Sequence, residues 1–170
     1  AMLAIVGDVK PAEMMAKRRF TYRHVHFEAT RRGLPFRFPD AHPFNPLTAL
    51  RLAVALDARH DVIDAIFAQI WGRGGSSDDF AELARGFGID DVAAASSRVD
   101  VKTTLRTNTE AAIARGVFGV PTLAIGDELF WGDDATAMAL AYRDDPMLFT
   151  RDDYARIDAL PMASVRKAVG

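Results

Sequence analysis

Apolar side chains recur at intervals of three and four residues over the first two-thirds of the chain, and this spacing predicts amphipathic helices. The clearest example follows Asp61, where five apolar residues share one face: Val62, Ile63, Ile66, Phe67 and Ile70. Proline, asparagine, serine and aspartate at helix starts, and glycine at helix ends, divide this region into separate helices. Their predicted ranges are roughly 11–33, 45–59, 61–72, 77–86, 90 through the alanine run that follows it, and 101–115.

After the last of these helices the spacing changes to one typical of strands. Two short runs, Thr122–Ile125 and Glu128–Trp131, are separated by Gly126-Asp127, and a two-residue connection of this composition predicts a β-hairpin. A final amphipathic helix is predicted to begin at Gly132-Asp133-Asp134, followed by a tail with a short helix near 152–160. Because an isolated hairpin is marginally stable in water, further strands must complete the sheet.

Composition and charge exclude several classes of protein. The 170 residues contain no cysteine, so the chain cannot itself exchange disulfides or bind zinc through thiolates. A formal net charge of −2 gives no drive toward nucleic acid or an anionic membrane, and no apolar run approaches the ~20 residues that span a bilayer. We therefore expect a cytoplasmic protein that binds neither. His24 and His26 lie two apart on a predicted helix and point to different sides, so we predict no metal site.

The residues around the predicted hairpin suggest a ligand site, although each has a simpler interpretation. Pro121 precedes the first strand; a cis bond to Val120 would leave the Val120 backbone free to pair with a peptide-like ligand, whereas a trans proline would only end the loop. Asp133 and Asp134 follow the hairpin, where they can cap the last helix or bind a cationic group. Spacing alone favours a trans proline at position 121 and helix capping by Asp133 and Asp134.

The order of motifs along the chain resembles a known family. The segment from Gly116 to Pro121, the hairpin and then Phe130-Trp131-Gly132-Asp133-Asp134 resemble the C-terminal half of 2-hydroxychromene-2-carboxylate isomerases and kappa-class glutathione transferases, within the DsbA-like group of thioredoxin proteins. The resemblance covers the chain to about Asp145. Its earlier motifs are Lys10-Pro11-Ala12-Glu13, Ala16-Lys17-Arg18, Gly33-Leu34-Pro35-Phe36, Phe44-Asn45-Pro46, Ala49-Leu50-Arg51 and Asn108-Thr109-Glu110-Ala111.

The resemblance implies a helix-rich α/β fold, in which a thioredoxin-like domain is interrupted by a large all-helical insertion. It divides the chain into the insertion with a residual apolar segment (1–100), the C-terminal half of the thioredoxin-like domain (101–145) and a tail (146–170). The family's N-terminal βαβ unit is expected upstream of Ala1, together with the serine whose hydroxyl contacts the glutathione sulfur. We therefore nominate no catalytic serine within the chain.

The resemblance also implies roles for particular residues. The backbone of Val120 would pair with the cysteinyl part of glutathione beside a cis Pro121, while Asp133 and Asp134 would hold the γ-glutamyl end. Lys17 matches a family lysine near the thiol, where a cation favours a thiolate or attracts a substrate carboxylate. A solvated lysine is the alternative at that position.

Three functions follow from the resemblance. The first is a glutathione-dependent isomerase in aromatic compound catabolism, acting on an intermediate such as 2-hydroxychromene-2-carboxylate. The second is a kappa-like glutathione transferase or peroxidase, and the third is a DsbA-like oxidoreductase or a non-catalytic interaction domain. Glutathione is the implied cofactor, a small aromatic carboxylate the implied substrate, and a homodimer the implied assembly. Val9 and Ala135 replace an asparagine and an arginine common in the family, so substrate preference is expected to differ from the type enzyme.

Overall fold

The computed structural model describes residues 15–76 and 79–161, and within those ranges the chain forms eight α-helices and one pair of strands. The helices are α1 (Met15–Arg31), α2 (Leu47–Ala55), α3 (His60–Phe67), α4 (Ala81–Gly86), α5 (Val92–Ser97), α6 (Val99–Ala114), α7 (Thr136–Asp144) and α8 (Asp152–Asp158), and the strands are β1 (Thr122–Ile125) and β2 (Glu128–Trp131). No helix in the described part of the chain is long and apolar enough to cross a membrane.

The predicted helices are present, but several of their boundaries differ from the prediction. The Asn45 side chain accepts a hydrogen bond from the Leu47 backbone N–H at 3.1 Å, as expected of a residue at a helix start. Helix α2 nevertheless ends at Ala55, before the predicted end near Arg59, because Asp57 and Ala58 adopt φ angles of 58° and 51°. A helix cannot continue through residues in the left-handed region.

Helix α3 also begins differently from the prediction. It starts at His60, so Asp61 lies in the first turn rather than at the N-cap, and its carboxylate accepts from the Val62 backbone N–H at 3.1 Å. A π-helical turn, Ala68–Gly72, extends this helix to the predicted glycine end. By contrast, the predicted start of α5 is confirmed, since the Asp91 carboxylate accepts from the Ala94 N–H at 2.8 Å. Pro11, Ser77 and Asp78, also predicted as start signals, and the apolar residues 1–6 lie outside the described residues.

The chain divides into two compact units, one ending at Gly116 and one beginning at Val117. Helices are the regular structure of the first unit within its described residues. Its core brings together side chains from α2, α3, the π turn and α4 with its preceding residue: Ala49, Leu52, Val62, Ile66, Ile70, Phe80 and Ala84. Helix α6 packs against α2 and α5, so it belongs to this unit, whereas the sequence grouped residues 101–115 with the thioredoxin-like half. The two compact units therefore divide after α6, while the assignment of residues 101–115 to a thioredoxin-like half stays a prediction.

The second unit contains the hairpin, whose predicted strands and two-residue turn are confirmed. β1 pairs antiparallel with β2, with Thr122 opposite Trp131 and Ile125 opposite Glu128. Phe130 is 1% exposed and its ring contacts those of Tyr142 and Phe149. This aromatic cluster fastens α7 and the residues after it to one face of the hairpin.

Candidate functional site

The open end of the hairpin brings four of the five predicted site residues into one region. The Gly132 backbone N–H donates to the Pro121 carbonyl oxygen at 2.9 Å, one step beyond the last paired residues of the two strands. Val120 precedes Pro121, and Asp133 and Asp134 follow Gly132, so the two segments leave the hairpin from the same end. The sequence could predict this proximity because the hairpin register alone determines it.

The Val120 backbone is available to a ligand. The Val120–Pro121 peptide bond is cis, and the Val120 side chain is 65% exposed. Within residues 15–76 and 79–161, neither the N–H nor the carbonyl oxygen of Val120 has a hydrogen-bond partner. An exposed backbone donor and acceptor on one residue can pair with an extended peptide group, as an added strand does.

The loop before Pro121 is held against β2 by Trp131. A Cβ atom at Gly119 would lie 2.3 Å from Nε1 of Trp131, so the indole ring rests directly on the glycine backbone. The ring of Phe118 packs on the same indole, with 5.4 Å between ring centroids. The hydroxyl of Thr122 donates to the Gly119 carbonyl oxygen at 2.8 Å. These contacts fix the conformation of the loop that presents Val120, and the sequence indicated no role for Trp131 in them.

The two aspartates do not cap the last helix as the sequence allowed. Helix α7 begins at Thr136, and the Asp133 backbone carbonyl accepts from both the N–H and the hydroxyl of Thr136, at 3.2 and 2.7 Å. The Asp134 carboxylate instead folds back over Gly132, since a Cβ at Gly132 would lie 2.4 Å from Oδ1 of Asp134. Both aspartates are exposed. Both residues thus lie exposed at the open end of the hairpin, where the carboxylate of Asp134 can meet an ammonium group.

Lys17 lies in the other unit. It occupies the first turns of α1 with its side chain exposed, and its backbone carbonyl accepts from the Thr21 hydroxyl at 2.9 Å. The structure thus groups Val120, Pro121, Asp133 and Asp134 within the second unit, while a role for Lys17 at the same site stays a prediction.

A polar cluster around His42 was missed by sequence reasoning. The Tyr22 hydroxyl lies 2.6 Å from Nδ1 of His42, and the Arg18 guanidinium donates to the His42 carbonyl oxygen at 2.6 Å. Burial, and secondarily the nearby Arg18 charge, lower the pKa of His42. Tyr22 and His42 are twenty positions apart, so no local pattern could have linked them.

The chemistry of the hairpin end fits glutathione. Its γ-glutamyl end carries an ammonium group that an exposed aspartate can bind, and its peptide groups can pair with the free backbone of Val120. Among the described residues, no group of three or more His, Cys, Asp or Glu side chains is placed to hold a metal ion. The arrangement is therefore suited to a small zwitterionic peptide.

Comparisons with known proteins identify the family and several relatives of this chain. Residues 2–142 match the family model of the DSBA-like thioredoxin domain. A 2-hydroxychromene-2-carboxylate isomerase of Pseudomonas putida is 29% identical over 147 residues, which cover 78% of this chain and 70% of that protein. The isomerase of Pseudomonas sp. strain C18 is also 29% identical, with 66% of its length covered. Glutathione s-transferase kappa 2 of Caenorhabditis elegans is 26% identical, with 69% of this chain and 59% of that protein covered.

A solved structure of a 2-hydroxychromene-2-carboxylate isomerase shares the fold. It superposes with a TM-score of 0.68 at 22% identity, covering 93% of this chain and 77% of that one. The predicted helix-rich, thioredoxin-like fold class is thereby confirmed. Since the family model spans most of the sequence, the chain belongs to the DsbA-like thioredoxin family.

Proposed function

We propose that this protein is a glutathione-dependent isomerase that acts on an aromatic-degradation intermediate such as 2-hydroxychromene-2-carboxylate. The observation that carries the proposal is that the Val120 backbone, which has no hydrogen-bond partner among the described residues, lies at the same end of the hairpin as the exposed Asp134. Two relatives that bear the isomerase name, and one that bears the name of a kappa-class glutathione transferase, support it.

The residues would share the work of binding and positioning. The Val120 N–H and carbonyl would pair with the cysteinyl residue of glutathione, and Asp134, with Asp133, would hold the ammonium group of the γ-glutamyl end. Trp131 and Gly119 would keep the Val120 loop in its binding conformation. Lys17 would attract the substrate carboxylate or favour a thiolate. When bound, glutathione would supply a nucleophilic thiolate that adds to the substrate and leaves unchanged.

Isothermal titration of reduced glutathione tests the binding site. We expect saturable binding by the unmodified chain and a loss of roughly tenfold in affinity in Asp134→Asn, because the neutral amide no longer pairs with the ammonium group. Asp127→Asn is the matched control, since Asp127 is also exposed but lies at the hairpin turn, away from the open end. No binding by the unmodified chain, or equal loss in both variants, would contradict the proposed site.

A kappa-like transferase is the second candidate, favoured by the transferase relative. The two activities differ in what happens to the thiol, because an isomerase regenerates glutathione whereas a transferase consumes it. Incubation with glutathione and 2-hydroxychromene-2-carboxylate, followed by assays of product and free thiol, separates them. Product formation at constant thiol supports the isomerase, while thiol loss with an electrophile and no isomerised product supports the transferase.

A further inference from the structure

The loop before β1 leaves one residue whose backbone can pair with a ligand. Val120 has no backbone hydrogen-bond partner among the described residues, whereas the carbonyl groups on either side of it are engaged. The Gly119 carbonyl oxygen accepts from the Thr122 hydroxyl, and the Pro121 carbonyl oxygen accepts from the Gly132 N–H at 2.9 Å. Proline also has no N–H to donate. An antiparallel partner would therefore exchange both of its hydrogen bonds with Val120.

For a tripeptide bound as in the proposed function, on which this inference rests, Asp134 determines the direction along the loop. Asp134 folds back over Gly132, which is bonded to Pro121, so the ammonium group of the γ-glutamyl end belongs on the Pro121 side. With the cysteinyl residue opposite Val120, an antiparallel alignment meets this condition, whereas a parallel one would turn the ammonium group toward Gly119. Antiparallel chains run in opposite directions, so the third residue of the ligand lies opposite Gly119.

The side chain of that third residue would meet the indole ring of Trp131. Directly opposite residues of an antiparallel pair carry their side chains on the same face, with Cβ atoms ~4.5–5.5 Å apart. Trp131 lies on that face of Gly119, because a Cβ atom on the glycine would collide with Nε1 and Cδ1 of the indole. Trp131 is nevertheless 53% exposed, so part of its ring is open to a ligand. Phe118, 54% exposed, packs on the indole and extends this apolar surface.

The charges around the hairpin favour an apolar group at this place. Residues 117–135 contain four acidic side chains and no lysine, arginine or histidine. The C-terminal carboxylate of the ligand therefore finds no cation in this segment, and a glycine offers no side chain to the exposed rings. An apolar third side chain would bury surface against Trp131 and Phe118, whereas an acidic one would lose hydration without compensation.

We propose that Trp131 selects the third residue of the ligand, and that the site prefers γ-glutamyl-cysteinyl peptides whose third residue is apolar. Glutathione, which has glycine at this position, is then one ligand of this class and not the tightest. Trp131 thereby has two roles, since it supports the loop that presents Val120 and also contacts the ligand.

Calorimetric titration of the whole chain with three reduced tripeptides tests the preference. The peptides share the γ-glutamyl-cysteinyl part and carry glycine, leucine or aspartate as the third residue. We expect the leucine peptide to bind about three- to fivefold more tightly than glutathione, because a pair of aromatic and aliphatic side chains across two strands contributes roughly that factor. The aspartate peptide should bind more weakly than glutathione.

Trp131→Ala separates contact with the ligand from support of the loop. Loosening of the loop alone would weaken the leucine peptide and glutathione by the same factor, whereas loss of the ring contact brings the ratio of their affinities toward one. Leu123→Ala is the matched control. Leu123 is 47% exposed in the same hairpin, but it lies opposite Phe130 on the other face, so this variant should keep the ratio.

The outcomes distinguish this inference from the proposed function. Equal affinities of the unmodified chain for the leucine peptide and glutathione overturn the preference and leave the glutathione site intact. An unchanged ratio in Trp131→Ala, or an equal fall of the ratio in Leu123→Ala, overturns the role of Trp131. Failure of every peptide to bind the unmodified chain overturns both proposals. Because the peptide series is measured on the unmodified chain, it decides the preference even when a variant does not fold.

Discussion

Gly132 has a conformation and a neighbour that disfavour any residue with a Cβ atom. Its φ angle is 93°, which costs an L-residue roughly 1–2 kcal/mol, and a Cβ atom there would meet the Asp134 carboxylate. We expect Gly132→Ala to lower the free energy of unfolding by about that amount and to displace Asp134. Glutathione affinity should therefore fall, although residue 132 itself carries no binding group. Urea unfolding measures the loss of stability, and calorimetric titration measures the loss of affinity.

Gly126→Ala distinguishes displacement of Asp134 from general destabilisation. Gly126 also has a positive φ, 58°, and lies in the same hairpin, but a Cβ there meets no atom within 4 Å. This variant should lose similar stability and keep its affinity for glutathione. Equal affinity losses in the two variants would show that hairpin stability, and not the position of Asp134, controls binding.

His42 makes the stability of the first unit depend on pH. Burial and the nearby Arg18 hold its pKa below the ordinary value of about 6.5, so the unfolded chain binds a proton more readily than the folded one. The contribution of His42 to the free energy of unfolding is therefore fully present above the pKa of the unfolded chain, about 6.5. It declines as the pH falls through that value and stays constant below the lowered pKa of the folded state. We expect the free energy of unfolding to fall between pH ~7.5 and ~5.5.

His42→Asn isolates this contribution, because the amide oxygen can still accept from the Tyr22 hydroxyl but does not titrate. Loss of the ring lowers stability at every pH, so the informative quantity is the slope of unfolding free energy against pH. We expect a shallower slope in the variant over that interval, measured by urea unfolding. Parallel curves for the two proteins would show that His42 does not set the dependence.

At the scale of elements, the sequence correctly predicted those turns and helix starts that interactions between neighbouring residues determine. The Gly126-Asp127 turn and the Asp91 cap were readable because each involves neighbouring residues, and both are present. The end of α2 was misplaced because Asp57 and Ala58 adopt left-handed angles without a glycine to signal them. The start of α7 was placed too early because Asp134 turns back toward Gly132 and does not enter the helix.

The candidate site could likewise be predicted from the sequence only where local pairing determines its structure. Hairpin register predicts that Val120 and Asp133 leave the sheet together, so the sequence was sufficient for that part. The packing of Trp131 on Gly119, and the pairing of Tyr22 with His42, depend on tertiary contacts between separate segments. No periodicity or spacing along the chain encodes contacts of this kind, and so these residues emerged from the structure alone.

At the scale of the whole molecule, an aromatic stripe on α1, formed by Phe20, His24 and Phe27, has a bearing on assembly. Phe20 and Phe27 are 68% and 61% exposed, and their spacing of two helical turns places them on the same face, with His24 stacked on Phe20 between them. Exposed aromatic side chains aligned on one helix are typical of an interaction surface, and a second copy of the chain offers the same stripe. We therefore expect a homodimer that uses this face of α1.

Sedimentation velocity at micromolar concentration measures the assembly directly. Replacing Phe20 and Phe27 with serine should convert a dimer to a monomer or weaken its association at least about tenfold, because aromatic residues dominate the energy of such interfaces. Val99→Ser is the matched control, since Val99 is 80% exposed on α6, away from the stripe. A monomeric unmodified chain would contradict the dimer itself. An unchanged dimer in the double variant would place the interface on another surface, leaving the stripe on α1 free for a different partner.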